Sequence, residues 1–437
     1  MQSPLHLWPM SVGLWAIMCP VFGAAVISGN LPCHDIGPPN VDFVFKLYQR
    51  LISKTPNRNI FYSPVGISSA LATLSFGARS DTQTQILESL QFHLTEMSLE
   101  EILEGYQCIQ SALNVPGALP DTKIGSALFV APGALPPPAF IDKAVDVFGS
   151  EFIYADFLDP KAAKRQIDKY IKERTLGRIK DATPRLDNCT SPVLVSTPLI
   201  EGQWAFPFDG NQTTEKMDFF VDDRTVVKVP VMYQNGQFNF YRDEDVACTV
   251  VSKTFVGLSG VFFILPDKGK LKQVEENMSG ELLLKWFDNK VPSDAELYVP
   301  KFSLSTTYKL EEILPDLGIE DLFTQRADLS GLTNQSGAAV SKVRHSATLE
   351  VKEDGLIAAG STSTVVSSGL AGTRPAPSTL SPPVHSDGQK TNYQEAIHFN
   401  RPFLMGVFHE TAFTTLFWGK VINPALHGGL LDPQDGV

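Results

Sequence analysis

IHFNRPFLMGV, residues Ile397 to Val407, reads as a buried strand that opens on an Asn-Arg-Pro turn, and its neighbours upstream set the problem. EDGLIAAG, Glu353 to Gly360, reads as a hinge of small side chains. Between the two, Ser361 to Gln394 is rich in Ser, Thr, Pro and Gly, with no amphipathic period and no adequate core-forming run. On that pattern it is expected to be an exposed loop. A loop of that length inside a compact domain is either a working part or disorder.

The rest of the chain can bury a large core. It has 437 residues, 43% hydrophobic and 19% charged, enough for one large domain or two ordinary ones. The formal charge of -12 argues against nucleic acid or an anionic membrane as partner, because phosphate binding needs a concentrated cationic footprint.

Ser11 to Ala25 is an apolar run of leader length followed by small residues, although no Lys or Arg precedes it. A signal peptide over 1–25 and export to the extracellular space are expected. Four acceptor triplets agree with that route, at Asn188, Asn211, Asn277 and Asn334. Loss of the leader removes Cys19 and leaves Cys33, Cys108, Cys189 and Cys248. Four cysteines pair in three ways, and isolated thiols are also compatible with a domain of this size. No CxxC or Cys/His cluster suggests a metal, and no cofactor is expected.

Apolar spacing predicts a helix over Val41 to Ser53, and Pro64 starts another that runs to Gly77. A third helix, Thr82 to Leu90, is expected to be capped by Ser80 or Asp81, and Ser98 with Glu101 forms a capping box for a fourth. Lys161 to Thr175 is amphipathic, with Lys161, Arg165, Lys169 and Lys172 along one side. A polyanion could use that stripe, but an ordinary solvated helix face is the simpler reading. Extended, apolar-rich segments then dominate: Val193 to Val195, Thr225 to Met232, Gln237 to Tyr241, Thr249 to Lys253, Gly260 to Leu265, Ala295 to Leu304, Ala347 to Val351 and Phe413 to Val421. Helices early and strands late, without alternating βαβ units, imply an α+β domain.

The ordered motifs NIFYSPVGISSAL, GQWAFPFD, VKVPVM, VPKFSL, ADLSGL, KVRHSATLEVKEDG, IHFNRPF and FWGKVINP resemble the serpins, particularly the secreted antitrypsin-like group. The resemblance implies a serpin domain over 41–425, after an N-terminal extension at 26–40 and before a C-terminal tail at 426–437. It implies about nine helices and three β-sheets, with an exposed reactive-centre loop at about 353–396. The implied activity is serine-protease inhibition by suicide cleavage: the cut loop enters a five-stranded sheet and drags the acylated protease with it.

Carried over singly, Glu353, Gly355, Leu356, Ala358, Ala359 and Gly360 are the hinge. Ser63, Ser196 and His345 match polar positions beneath the sheet, Trp204 the point of loop entry, and Lys301 the partner of Glu353. Once inserted, Leu356, Ala358 and Gly360 are expected to point inward. Leu356 stands where inhibitory relatives usually have Thr or Ser, and Gly66 and Ser196 replace the usual Ser and Asn.

In the family the cut bond lies about 17 residues after the hinge glutamate, roughly 58 Å of strand. That count gives Gly369-Leu370 or Leu370-Ala371, whereas counting back from Pro402 gives Thr391-Asn392, beside Lys390. Some twenty extra residues separate the two. A chymotrypsin- or elastase-like protease acting at Leu370 on a monomeric inhibitor is therefore expected. The alternative is a non-inhibitory relative: a carrier of a small apolar hormone, a peptide precursor or a docking protein. An enzyme is not expected, since GxSxG, HExxH and GxGxxG are all missing.

Overall fold

The computed structural model describes residues 31–187, 190–257, 259–335, 337–368 and 395–426. A helical turn, α1 (Pro32–Asp35), leads into α2 (Gly37–Lys54), and β1 (Ile60–Tyr62) precedes α3 (Pro64–Gly77), α4 (Ser80–Ser89) and α5 (Leu99–Leu113). Next come β2 (Asp121–Val130), α6 (Pro138–Phe148), β3 (Ser150–Tyr154), α7 (Pro160–Arg174) and β4 (Thr190–Gln203). Strands β5 (Thr214–Phe220), β6 (Val226–Asp243), β7 (Cys248–Thr254) and β8 (Ser259–Pro266) are followed by α8 (Leu271–Asn277) and α9 (Gly280–Asn289). The chain closes with β9 (Val291–Pro300), β10 (Phe302–Lys309), β11 (Ala338–Val351), β12 (Gly355–Ser368), β13 (Glu395–His398), β14 (Phe403–His409) and β15 (Thr414–Val421).

Local chemistry accounts for the early helices. The α5 capping box forms as expected: Glu101 N–H donates to Ser98 Oγ at 3.3 Å and Ser98 N–H to Glu101 Oε2 at 2.7 Å. Ser63 caps α3 ahead of Pro64, and every residue of that helix is buried. The expected cap of α4 is displaced. Arg79 holds the N-cap position, and Ser80 lies within the first turn. Of the cysteines, Cys33 and Cys108 form a disulfide that ties α1 to α5, and Cys248 is a buried thiol. Cys189 lies outside the described residues.

Two sheets carry the strands. The nine-stranded sheet runs β1-β15-β14-β8-β7-β6-β9-β13, with β5 alongside β6. The separate strands expected at Thr225 to Met232 and Gln237 to Tyr241 are joined here, because β6 runs 18 residues without a break and pairs β5, β9 and β7 in turn. The six-stranded sheet runs β10-β11-β12-β4-β2-β3. Beneath it lies the main core, and α7 covers the other face through Ala163, Ile167, Tyr170 and Ile171. The Lys161, Arg165, Lys169 and Lys172 side of α7 faces solvent, with Lys169 3.8 Å from Glu173.

The expectation of an exposed loop from Ser361 is overturned as far as Ser368. Ser361 to Ser367 are buried, and with Gly355 to Gly360 they form β12, a central strand antiparallel to β11 and β4. The composition misled because a strand flanked on both edges and covered on both faces needs side chains that fit, not an apolar period. Thr and Val are favoured in such a strand, and Ser is small enough to pass.

Candidate functional site: the hinge strand and its receiving sheet

The hinge is anchored at the head of the sheet. Lys352 N–H donates to Gly355 O at 2.9 Å, closing a tight turn between β11 and β12. Lys301 Nζ lies 3.0 Å from Glu353 Oε2, and Thr213 Oγ1 donates to Glu353 Oε1 at 2.9 Å. Burial alone would raise the Glu353 carboxyl. It is outweighed by hydrogen bonds from its own backbone, Lys301 and Thr213, so the group lies below the usual glutamate range. The expected ion pair is thus in place, with a threonine that the motif comparison missed.

Trp204 marks the point of entry. Its ring N–H donates to Lys352 O at 3.0 Å, its backbone N–H to Asp354 O at 3.0 Å, and its ring stacks on Phe255 at 4.8 Å. Under that ring lies Lys253, which no motif singled out. Its Nζ donates to Phe206 O and to Gln234 Oε1, both at 2.7 Å, and sits 4.3 Å from the centre of the Phe208 ring. Burial brings this amine down to about 7. The only sequence signal is parity: Lys253 falls on the same face of β7 as Val251.

Along β12 the side chains alternate. Leu356 (1% exposed), Ala358 and Val366 join the core beneath the sheet, whereas Ala359 and Val365 face α7. Leu356, Ala358 and Gly360 therefore point inward as expected. Two glycines fit where no side chain does. A Cβ on Gly355 would stand 2.2 Å from Gly202 O, and one on Gly360 would stand 3.0 Å from Ser63 Cβ and from Pro198 Cγ.

Midway along the strand lie Ser63, Ser196 and His345. Ser63 N–H donates to His345 Nε2 at 3.0 Å, and Ser63 Oγ donates to Leu416 O at 2.7 Å. His345 Nδ1 lies 2.9 Å from Thr362 Oγ1. Burial lowers this imidazole to about 3, so it is neutral. Ser196 pairs Thr362 across the ladder, but its hydroxyl has no partner among the described residues. Gly66 also finds its reason here: a Cβ at that position would meet Pro198 Cγ at 2.7 Å. Pro198 lies inside β4 and brings no N–H, and the β12–β4 pairing lapses opposite it at Gly360 and Ser361.

The hydroxyls of Ser361, Ser363 and Thr364 are likewise buried without hydrogen-bond partners among the described residues. Each such group costs roughly 1–3 kcal/mol. Asn211, Asn277 and Asn334 are exposed, and Asn211 lies two residues before Thr213. Asn188 and the candidate cut residues Gly369, Leu370, Ala371, Lys390 and Thr391 lie outside the described residues.

The family model described as "Serpin (serine protease inhibitor)" matches residues 38–424. Serpin A11 of Rattus norvegicus is 37% identical over 392 residues, covering 90% of this chain and 88% of the relative. Kallistatin of Homo sapiens is 37% identical over 398 residues, with coverage of 90% and 88%. The crystal structure of human thyroxine-binding globulin with thyroxine matches with a TM-score of 0.78 at 33% identity, covering 90% of this chain and 100% of that one.

Proposed function

This chain belongs to the serpin family, and from that premise we propose that it is a secreted, monomeric inhibitor of serine-type endopeptidases, acting by suicide cleavage and loop insertion. The observation that carries the reading is the length of β12. The sheet accepts the hinge and loop as one 14-residue strand, and that strand ends at Ser368, one residue before the Gly369-Leu370 bond. A protease acylated there would be drawn the full length of the sheet, leaving no slack in the chain that holds it. Chymotrypsin- or elastase-like specificity follows from Leu370 at or beside the cut.

In this reading the trapping form is one with residues 355–368 outside the sheet. The protein should be incubated with chymotrypsin and with elastase, and the products run on denaturing gels with mass analysis of the released peptide. A detergent-resistant conjugate and a fragment starting at Leu370 or Ala371 are expected. A fragment starting at Thr391 beside a fully active protease would sink the reading.

One observation favours a second, non-inhibitory reading. The strand is already in place in an uncut chain, so in this conformation insertion has no work left to do on a protease. A carrier of a small apolar molecule, a peptide precursor or a docking protein would tolerate that state. Here the same incubation gives cleavage without a conjugate.

A further inference from the structure

We propose that Lys253 is a positioning residue that grips the turn receiving the hinge, and that it grips best as a neutral amine. The receiving turn runs from Trp204 to Phe208, directly after β4. Three of its N–H groups hold three consecutive carbonyls where β11 passes into β12. The Trp204 ring donates to Lys352 O at 3.0 Å, Phe208 N–H to Glu353 O at 2.9 Å and Trp204 N–H to Asp354 O at 3.0 Å. On its other side the turn is tied to the end of β7, where Ala205 N–H donates to Thr254 O at 3.0 Å. Its middle has little hold of its own. The Phe206 side chain is 72% exposed, and Pro207 brings no N–H. What reaches that middle from within is Lys253, whose Nζ donates to Phe206 O at 2.7 Å.

The surroundings suit an amine better than an ammonium ion. Lys253 is 4% exposed, and the acceptors offered to its Nζ are two, Phe206 O and Gln234 Oε1. A neutral amine has two N–H donors and uses both, whereas an ammonium ion has three. The third meets only rings, with the centres of Phe208, Trp204 and Phe238 at 4.3, 5.2 and 5.8 Å from Nζ. Rings soften a buried charge but do not replace water. Among the described residues Lys253 has no ion pair: β6 contributes Gln234 and Phe238, β8 sets Val261 opposite, and the turn contributes a carbonyl and two rings. The charges at the head of the sheet are taken up elsewhere, Lys301 by Glu353 and Lys352 by Glu350. Burial accordingly lowers the amine from its ordinary 10.5 to about 7.

Opening the turn gives the amine back to water. Between about pH 7 and 10.5 the open form holds a proton that the closed form has released. The closed form therefore gains as pH rises, by up to about tenfold per unit for one proton. Below about 7 both forms are protonated, and the gain is absent. The hinge is thus held more firmly in mild alkali than in mild acid.

The test follows amide exchange over residues 203–208 of the full-length protein from about pH 6 to about pH 9, with each rate divided by that of an unstructured chain at the same pH. Protection should be flat below about 7 and rise above it. Lys253→Met keeps the stem, removes the donors and should show no such rise. At about pH 9 its protection over 203–208 should be roughly tenfold below the parent's, with that of β15 unchanged. Gln234→Glu sets a carboxylate against the amine, keeps it charged and should move the rise beyond about pH 9. A parent profile without a rise, or a rise retained in Lys253→Met, overturns the proposal, and the parent profile decides even where the variants fail to fold. Exchange reads the hinge and not protease trapping, so the inhibitor reading is scored separately by conjugate formation.

Discussion

His345 Nδ1 stands 2.9 Å from Thr362 Oγ1, joining a buried residue of β11 to the middle of the inserted strand. The other ring nitrogen accepts from Ser63 N–H. A neutral imidazole that accepts at Nε2 carries its proton at Nδ1, so His345 is the donor and Thr362 the acceptor. The inserted strand thereby satisfies a buried donor fixed in the sheet's floor.

Replacement of Thr362 should loosen the strand. Thr362→Val keeps the shape but strands the His345 proton, which should cost roughly 1–3 kcal/mol. Urea unfolding should show a lower midpoint for this variant and a near-parental one for Thr362→Ser. Equal midpoints for Val and parent would show that the contact contributes nothing.

Acid should weaken the fold through the same histidine. His345 is held at about 3, against an ordinary value of 6.5. Between those values the unfolded chain takes up a proton that the folded one refuses. The stabilising contribution is complete above about pH 6.5 and falls as pH drops toward 3, by about 1.4 kcal/mol per unit. His409 and His398 are also lowered by burial and act in the same direction. Comparing the parent with His345→Gln by urea unfolding between pH 7 and pH 5, roughly spanning the onset of the transition, isolates the share of His345. The variant should show the shallower dependence.

Gly355 should tolerate no side chain once β12 is in place. Gly355→Ala puts a carbon against Gly202 O, and overpacking of this kind costs about 1–3 kcal/mol. Amide exchange over Leu356 to Ala359 should quicken in the variant, whereas that of β2 should not change.

The Lys301–Glu353 pair should matter less than its position suggests. The Lys301 side chain is 40% exposed, and partly exposed pairs contribute about 0–1 kcal/mol. A double-mutant cycle with Lys301→Met and Glu353→Gln should return a coupling within that range. A larger value would mean that Thr213 and the pair act as one network.

Removing the Cys33–Cys108 bridge should be costly. It closes a span of 75 residues, for which loop-closure entropy predicts about 4 kcal/mol. Replacing both cysteines with serine should lower the melting temperature accordingly.

Local signals were legible where neighbours in sequence decide the structure. The Ser98–Glu101 box, Pro64 at the start of α3 and the apolar period of α2 each act within a few residues, and each appears as expected. Strand limits were less legible. Val193 to Val195 extends to a 14-residue β4, and two expected strands merge into β6, because partners far along the chain continue the ladder past the apolar run. Ordered motifs group Ser63, His345, Trp204, Glu353 and Lys301 as a set. They could not supply Thr213, Lys253, Pro198 or Thr362, whose roles come only from what faces them.

By itself the order of residues determined the family, the starts of α3 and α5 and the small-residue hinge, since these depend on chemistry within reach of a few bonds. Only the tertiary structure decided where Ser361 to Ser368 go. A hydroxyl-rich segment suits water and a central strand alike, and the choice rests on two open ladder edges and the His345 donor.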